Sequence, residues 1–518
     1  MSTEDENMEM DEIDSYDNLD KPIYKKKVTK KPQKSNKKLL AFALITVTFI
    51  VFIILAYLNQ KGNINSKIFE KNEKSDGKKL SDLENECKPG YKLVDGNCEI
   101  NYSFKATYIT YYDDENIKLI ESIDSKDIKE LIVEGEKVTP SNQYLFQKKG
   151  KYEVFILLDD SNLDSLSHMF DGNIHLVSIS FSEKFNSEKI ITTDHMFRNC
   201  KSLKEADFSN FNSKNIKRMD FMFYDCTALE SVNFANFSND NLINMSRMFF
   251  RCSSLISINL KTFKTPKVED MSYAFADCNS IRTLDLSSFD TSNVKNMRGM
   301  FERCKSMFYV NIRKFNTEKV EDMAYMFNKC YSLVSVDTDN FYAPKVKSMI
   351  SMFYSCKALT SLDLSKFIGN EVTEIDNMLE GCGSLSYINF SNFNAPNLKK
   401  MDYLFFFCTS LTSLDLTNFK TESITSMTGM FQGCSHLKTV DLSSFDTKNV
   451  ESMVDMFNSC TSLIKIDITM FNTEKVQHLQ RIFDNCPSLA KGEIKINKQS
   501  FNKLERIIPK DLTLAVIE

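Results

Sequence analysis

Cysteine is the residue type in this sequence whose spacing most invites chemistry, because twelve cysteines recur every 26 residues. A zinc site built from cysteines needs them in close pairs such as CxxC, whereas these stand in single file. Each shares an apolar pattern with Met and Phe, and free cysteine is among the residue types most often buried. We therefore predict a buried structural column without a metal, formed by Cys200, Cys226, Cys252, Cys278, Cys304, Cys330, Cys356, Cys382, Cys408, Cys434, Cys460 and Cys486. Disulfides between adjacent copies are the alternative, which requires Cα separations of about 4.4–6.8 Å.

The histidines and the known catalytic motifs give less reason to expect chemistry. His168 and His195 occupy equivalent places in adjacent copies, with His175 nearby. The sequence shows no carboxylates supporting them, so we interpret them as ordinary polar positions. No GxSxG, HExxH, Walker or Rossmann motif occurs, and these are the patterns that mark the corresponding enzymes. We expect no enzymatic activity, no cofactor and no metal.

The cysteine interval marks a 26-residue repeat of the approximate form VxxMxxMFxxCxSLxxLDLSxFDTxN. A fixed period of this size is the signature of stacked units. The MxxMFxxC part, as in residues 219–226, has the i, i+3, i+4, i+7 spacing of one helical face. The LxxLDLxxF part, as in residues 411–419, alternates apolar and polar residues like a strand with one wet face. The pattern predicts an α/β repeat solenoid, leucine-rich-repeat-like, with one strand and one short helix per unit and a parallel sheet.

The N-terminal segment predicts a membrane anchor. Residues 1–38 carry nine acidic side chains followed by nine lysines and are interpreted as a disordered cytosolic tail. Residues 39–58 hold no charge over twenty positions, which is long enough for a transmembrane helix. A cleavable signal peptide would have a shorter apolar region and a small-residue cleavage site. Lysines outnumber those after the span in the segment before it, so the N-terminus is expected in the cytosol, giving a single-pass type II protein of the plasma membrane or cell surface.

The remaining chain divides into five further segments. Residues 59–86 are polar and predict a flexible stalk. Residues 87–98 predict a hairpin closed by a Cys87–Cys98 disulfide. Residues 99–160 contain β-rich runs and predict a small capping domain over the first turn of the solenoid, which spans 161–490. Residues 491–518 predict a C-terminal cap.

A polar column between the inward residues of the strands is the candidate binding face. Seven carboxylates and four amides would point outward on successive strands and could receive a basic partner, a glycan or calcium. Plain solvation of an open face is the alternative. The column consists of Asp207, Asn233, Asn259, Asp285, Asn311, Asp337, Asp363, Asn389, Asp415, Asp441 and Asp467.

The pattern MFxxCxSLxxLDLSxFDTxxVxxM resembles the BspA-type leucine-rich repeat, also described as the DUF285 26-residue repeat, over roughly residues 167–490. The resemblance implies a surface protein that binds an extracellular protein, matrix or glycan ligand in adhesion or recognition. A structural coat or receptor-like role is the alternative. A net charge of -5, without a basic stripe after the first forty residues, argues against a nucleic-acid partner.

Overall fold

The computed structural model describes residues 87–95, 97–237, 239–506, 508–510, 512 and 514–517. The predicted cytosolic tail, transmembrane helix and stalk, residues 1–86, lie outside this part of the chain. Within the part that is described, no helix has the length and apolar character needed to cross a membrane.

Short strands dominate the regular structure, and most of those in the repeats are three residues long. They are β1 (Tyr91–Val94), β2 (Asn97–Ile100), β3 (Phe104–Ile109), β4 (Glu115–Lys118), β5 (Ile128–Val133), β6 (Glu136–Val138), β7 (Gln143–Phe146), β8 (Lys151–Leu158), β9 (Leu176–Phe181), β10 (Glu205–Asp207), β11 (Ser231–Asn233), β12 (Ser257–Asn259), β13 (Thr283–Asp285), β14 (Tyr309–Asn311), β15 (Ser361–Asp363), β16 (Tyr387–Asn389), β17 (Thr439–Val440), β18 (Lys465–Ile468), β19 (Glu493–Asn497) and β20 (Leu514–Ile517). Short 3-10 segments occur at Ser125–Asp127 and Leu489–Lys491, and one α-helix, α1, covers Lys498–Leu504.

The segment before the repeats is joined to them through one sheet. A disulfide links Cys87 to Cys98, which lies on the second strand of the β1–β2 hairpin. Strand β3 pairs antiparallel with β8 on one side and with β9 on the other. The eight-stranded sheet therefore runs in the order β12-β11-β10-β9-β3-β8-β5-β6. Because β3 covers the free edge of β9, the sheet of the repeats does not end in an open edge there.

The strands of successive repeats pair in parallel and in register. Glu205 lies opposite Ser231, and Ser231 lies opposite Ser257, so each step along the sheet is one repeat of 26 residues. The same spacing holds for β13–β14 and β15–β16. One face of each strand is buried, as Val232 and Leu362 show, while the residues on either side point outward. The predicted parallel sheet of one strand per unit is therefore present, in several short sheets.

The helix predicted in each unit is wrong. In residues 219–226, Phe221 and Asp225 have φ angles of 56° and 57°, and an α-helix requires negative φ throughout. Equivalent pairs of left-handed residues recur in the later units, with glycine at some of these positions, for example Gly299, Gly429 and Gly433. The segment consists of consecutive tight turns, in which Met222 N–H donates to the Met219 carbonyl. We call it the turn segment of the repeat, and the part that contains the strand the strand segment.

Backbone groups that a helix would satisfy internally instead bond to the next turn. The N–H groups of Met219, Phe221 and Phe223 donate to carbonyls 25 residues later, over 2.8–3.0 Å. One residue before each of these runs, single parallel bridges connect every turn to its neighbours, from Ser165 through to His478. The i, i+3, i+4, i+7 spacing is nevertheless real, because it buries the same four side chains in stacked turns as it would in a helix.

Identical side chains from successive turns stack in the core. The rings of Phe197 and Phe223 are 5.2 Å apart and within 7° of parallel, a spacing set by the distance between adjacent turns. A column of buried hydroxyls runs beside them. Thr291 Oγ1 donates to the Asn316 carbonyl at 2.9 Å and accepts the Asn316 N–H at 2.7 Å. Each turn thus satisfies polar groups of the next, as buried backbone requires.

The last turn is covered by β19, α1 and β20. Strand β19 continues the parallel pairing with β18. The side chain of Asn497 accepts the Ser500 N–H at 2.7 Å and so caps the start of α1. Leu504 on this short helix is buried in the same core as the repeats.

Candidate recognition surface

The Asp/Asn column lies along the strand segments, on the side that faces away from the core. Neighbouring members are register partners, as for Asp207 with Asn233 and for Asp363 with Asn389. Six of the eleven are exposed and five are half-buried. The structure therefore brings the predicted residues together into one line, which we call the strand-face column.

Each residue of the strand-face column ends its strand with an Asx turn. Its side-chain oxygen Oδ1 accepts the N–H group two residues later, over 2.8–3.5 Å, in all eleven turns. This is the local bond for which Asp and Asn are favoured at chain reversals. The column is thus first a structural device, a role that the sequence analysis missed. The signal was present as an Asp or Asn that recurs at the end of every predicted strand.

Hydrogen bonds also connect neighbouring members of the column. The amides of Asn233, Asn311 and Asn389 donate to the carboxylates of the preceding turn at 2.9–3.0 Å. Where Asp follows Asp, as at Asp415 and Asp441, no such donor lies between them. Carboxylate oxygens that the Asx turn leaves unused face outward at these positions.

Hydrogen bonding keeps these carboxylates charged. The backbone N–H and hydroxyl of Ser287 lower the pKa of Asp285, and the corresponding groups of Thr417 lower the pKa of Asp415. Donors to the ionised form favour that form. The strand-face column is consequently anionic at any physiological pH.

An open concavity of about 750 Å³ lies where the sheet passes from the capping segment to the repeats. Its floor is the outward face of β3 and of β9 to β12. Short polar side chains line it, and Lys105 and Glu153 form an ion pair of 2.6 Å at one side. The hydroxyl and amide residues in the lining are Thr107, Ser178, Ser180, Ser231, Asn233, Ser257 and Asn259. Because these side chains are small, a ligand can approach the sheet closely and meet many hydrogen-bonding groups.

Further along the strand face, large apolar side chains replace these small ones. Tyr309 and Tyr387 are 42% and 60% exposed, and they occupy the same column as Ser231. Phe308 and Val334, one column further, are 48% and 44% exposed. The sequence analysis did not single out this second pair of positions. Large exposed apolar groups are the informative kind of surface residue.

The cysteine column is buried and makes a repeated hydrogen bond. Each of the twelve thiols donates to a carbonyl of the preceding turn, over 2.9–3.2 Å. All twelve are free thiols in the structure. Burial raises the pKa of Cys382 and Cys434 to about 12. These groups face neither the concavity nor the strand-face column, and a thiol with a raised pKa is a poor nucleophile.

Comparison with known proteins gives one family and several solved structures. The profile of the family described as "Mycoplasma protein of unknown function, DUF285" matches residues 164–283, 269–393 and 399–510. None of the curated proteins is similar to the chain.

Three solved structures are similar in fold. A leucine-rich cell surface protein from Faecalibacterium prausnitzii is 18% identical, with a TM-score of 0.29, over 64% of this chain and 86% of that one. A leucine-rich repeat protein from Eubacterium ventriosum is 12% identical, with a TM-score of 0.23, over 62% and 82%. The functional domain of InlJ from Listeria monocytogenes, described as including a cysteine ladder, is 12% identical, with a TM-score of 0.17, over 68% and 78%. The family profile covers about two thirds of the chain and confirms the resemblance seen in its repeats: the chain belongs to the DUF285 family of BspA-type leucine-rich repeat proteins.

Proposed function

We propose that the protein is a surface recognition protein whose strand face binds an extracellular protein, matrix or glycan ligand, and that residues 39–58 anchor it as a type II membrane protein. The observation that carries the proposal is the concavity on the eight-stranded sheet. It combines a rigid floor with many short hydrogen-bonding side chains. Concave sites with convergent polar groups on a rigid scaffold are typical of ligand binding.

The chemistry of the concavity supports binding rather than catalysis. Its lining is made mainly of hydroxyl and amide groups, with the paired charges of Lys105 and Glu153 at one side. Such groups match sugar hydroxyls or the backbone of an extended peptide. No histidine or cysteine lines it, so it lacks the usual nucleophile–base pair.

A substitution that fills the concavity tests the proposal. Ser231→Tyr places a large ring in its floor, and the fold accepts tyrosine in this column because Tyr309 and Tyr387 already occupy it. Ser413→Tyr, in the same column seven repeats later, is the matched control. The full-length chain, purified in mild detergent, would be applied to a glycan array and to immobilised matrix proteins. We expect Ser231→Tyr to weaken the binding at least about tenfold, while Ser413→Tyr leaves it unchanged.

Equal binding by both variants would place the ligand elsewhere. The absence of any binding, on cells that display the protein at their surface, would favour the structural coat role instead.

Surface display has its own experiment. A tag placed after Glu518 should be labelled by antibody on intact cells that express the full-length chain. A tag before Met1 should be labelled only after the cells are made permeable. The reverse result, or labelling of neither tag on intact cells, would contradict the proposed anchor.

A further inference from the structure

We infer that His168, Asp194 and His195 form a binding site for a divalent transition-metal ion, with Zn²⁺ as the probe that tests it. One potential ligand atom from each residue lies within 4.8 Å of the other two. Imidazole nitrogen combined with one carboxylate suits zinc and copper better than calcium or magnesium, which prefer oxygen. The site is distinct from the concavity, and it goes beyond the proposed recognition function.

The two histidines are brought together by the repeat itself. His168 and His195 hold the same position in adjacent turns, both with a φ of 57°. Their rings lie with centroids 4.7 Å apart and planes within 12°. An ion bound at about 2.0–2.1 Å from both nitrogens needs them about 3.4 Å apart in tetrahedral geometry. Both side chains have access to solvent, so each ring can turn about its Cβ–Cγ bond and point a nitrogen at a shared ion.

Carboxylates hold one nitrogen of each ring, which leaves the other nitrogen available. His168 Nδ1 lies 2.7 Å from Asp171 Oδ2, and His195 Nδ1 lies 3.2 Å from Asp194 Oδ2. A carboxylate at Nδ1 fixes the proton there and directs the Nε2 lone pair outward, which is the usual outer partner of a metal-binding histidine. The sequence gave no sign of this support, because Asp171 lies three residues from His168 and becomes its partner only in the turn.

The supporting carboxylates are themselves fixed in place. The Arg198 guanidinium donates two hydrogen bonds to Asp171, at 3.0 and 2.8 Å. Asp194 Oδ1 accepts hydrogen bonds from the hydroxyls of Ser167 and Thr192. Asp194 Oδ2 therefore remains for His195 or for an ion, and hydrogen bonding keeps the pKa of Asp194 far below its usual range. A site whose outer partners are already ordered loses little freedom on binding.

Zinc binding is measured by calorimetry on the full-length chain, purified without a histidine tag. The variants are His168→Asn and His195→Asn, because asparagine adopts left-handed φ readily and leaves the turn intact. His436→Asn, an exposed histidine of a distant turn, is the matched control. We expect one zinc ion per chain in wild type, at least about tenfold weaker binding in each of the first two variants, and unchanged affinity in the control. Calcium should give no signal at this site.

Hydrogen exchange provides a second measurement that does not depend on the variants. Zinc would link two adjacent turns, so amides in residues 165–200 should exchange more slowly in its presence. The inference is overturned if wild type shows no saturable binding at millimolar zinc. It is also overturned if His168→Asn and His195→Asn bind zinc as tightly as His436→Asn, or if the protected amides lie outside these turns.

Discussion

Acidic side chains in the turn segments and in the strand segments of the repeat favour different protonation states. In the turn segments, burial raises the pKa of Glu302 and Glu380 to about 7. In the strand segments, hydrogen bonds from the following residues lower the pKa of Asp285 and Asp441. The same type of group is thus held towards neutrality in one segment and held charged in the other. Recognition through charge consequently belongs to the strand segments, while the turn segments hold the stack together.

The largest expected effect concerns the thiols of the turn segments. At pH 8, a pKa of about 12 lowers the thiolate fraction about a thousandfold relative to a free cysteine. Native ladder thiols should therefore react with iodoacetamide orders of magnitude more slowly than in urea. Cys486, with a pKa raised to about 11 and 5% exposure, should be modified first. Mass spectrometry of timed samples measures this order.

Rapid modification of the interior cysteines in the native protein would contradict their burial. Disulfides between adjacent turns, found in protein purified without reductant, would support the alternative pairing instead.

Glu380→Gln tests the turn-segment carboxylates. The pKa of Glu380 is about 7 in the folded chain against an ordinary value of 4.5, so the folded state binds the proton more tightly. Stability should therefore fall as pH rises from about 4.5 to 7. The variant removes this loss and should raise the free energy of unfolding by about 2 kcal/mol at pH 8, with little change at pH 4. Urea denaturation at the two pH values measures the difference.

The exposed Glu371→Gln is the matched control and should change neither value. A gain in stability of equal size at pH 4 would show that charge burial is not the cause.

Asp363 separates the structural role of the strand-face column from its charge. Asp363→Ala removes the acceptor of the Ser365 N–H and of the Asn389 amide, and should cost about 1 kcal/mol of unfolding free energy. Asp363→Asn keeps an oxygen at the Asx turn and should cost much less. Urea midpoints of the two variants give the comparison. Equal losses would mean that the charge, rather than the acceptor, stabilises the strand end.

The smallest effect is the acid dependence of the strand-face column. The folded-state pKa values of Asp285, Asp415 and Asp441 are lowered. Their stabilisation is present above the ordinary value of 3.8 and is lost as pH falls through the lower folded values. Because these groups are exposed, we expect a few tenths of a kcal/mol for each. Between pH 5 and pH 3, the triple Asp→Asn variant should lose less stability than wild type, and a parallel loss would exclude this contribution.

The sequence predicted the repeat, its buried columns and its strand because each follows from the position of apolar side chains. In residues 411–419, every residue predicted to point inward is buried. The helix could not be distinguished in this way, because helix and stacked turns bury the same positions. The distinguishing information lies in the backbone, at residues such as Gly299 and Gly433, which are unfavourable in a helix and suited to a left-handed turn.

The candidate site was predictable only as a line of residues. The Asp/Asn column follows from the period of the strand, but its Asx turns depend on chain reversals that the sequence analysis left unassigned. The concavity depends on β3 pairing with β9, a contact between segments about seventy residues apart. The carboxylate partners of His168 and His195 likewise appear only once the turns are formed.

The hydrogen bonds between turns also bear on how such a chain can change in length. The Met219 N–H meets the carbonyl of Asn244, and the Met245 N–H meets that of Asp270, so the bonding partners of one junction are reproduced at the next. Insertion or loss of a whole 26-residue unit therefore leaves every remaining junction with a complete set of partners. A single-residue insertion within a unit shifts them all out of phase at that point. Recombination between repeats can lengthen or shorten this protein in whole turns without first requiring a new core.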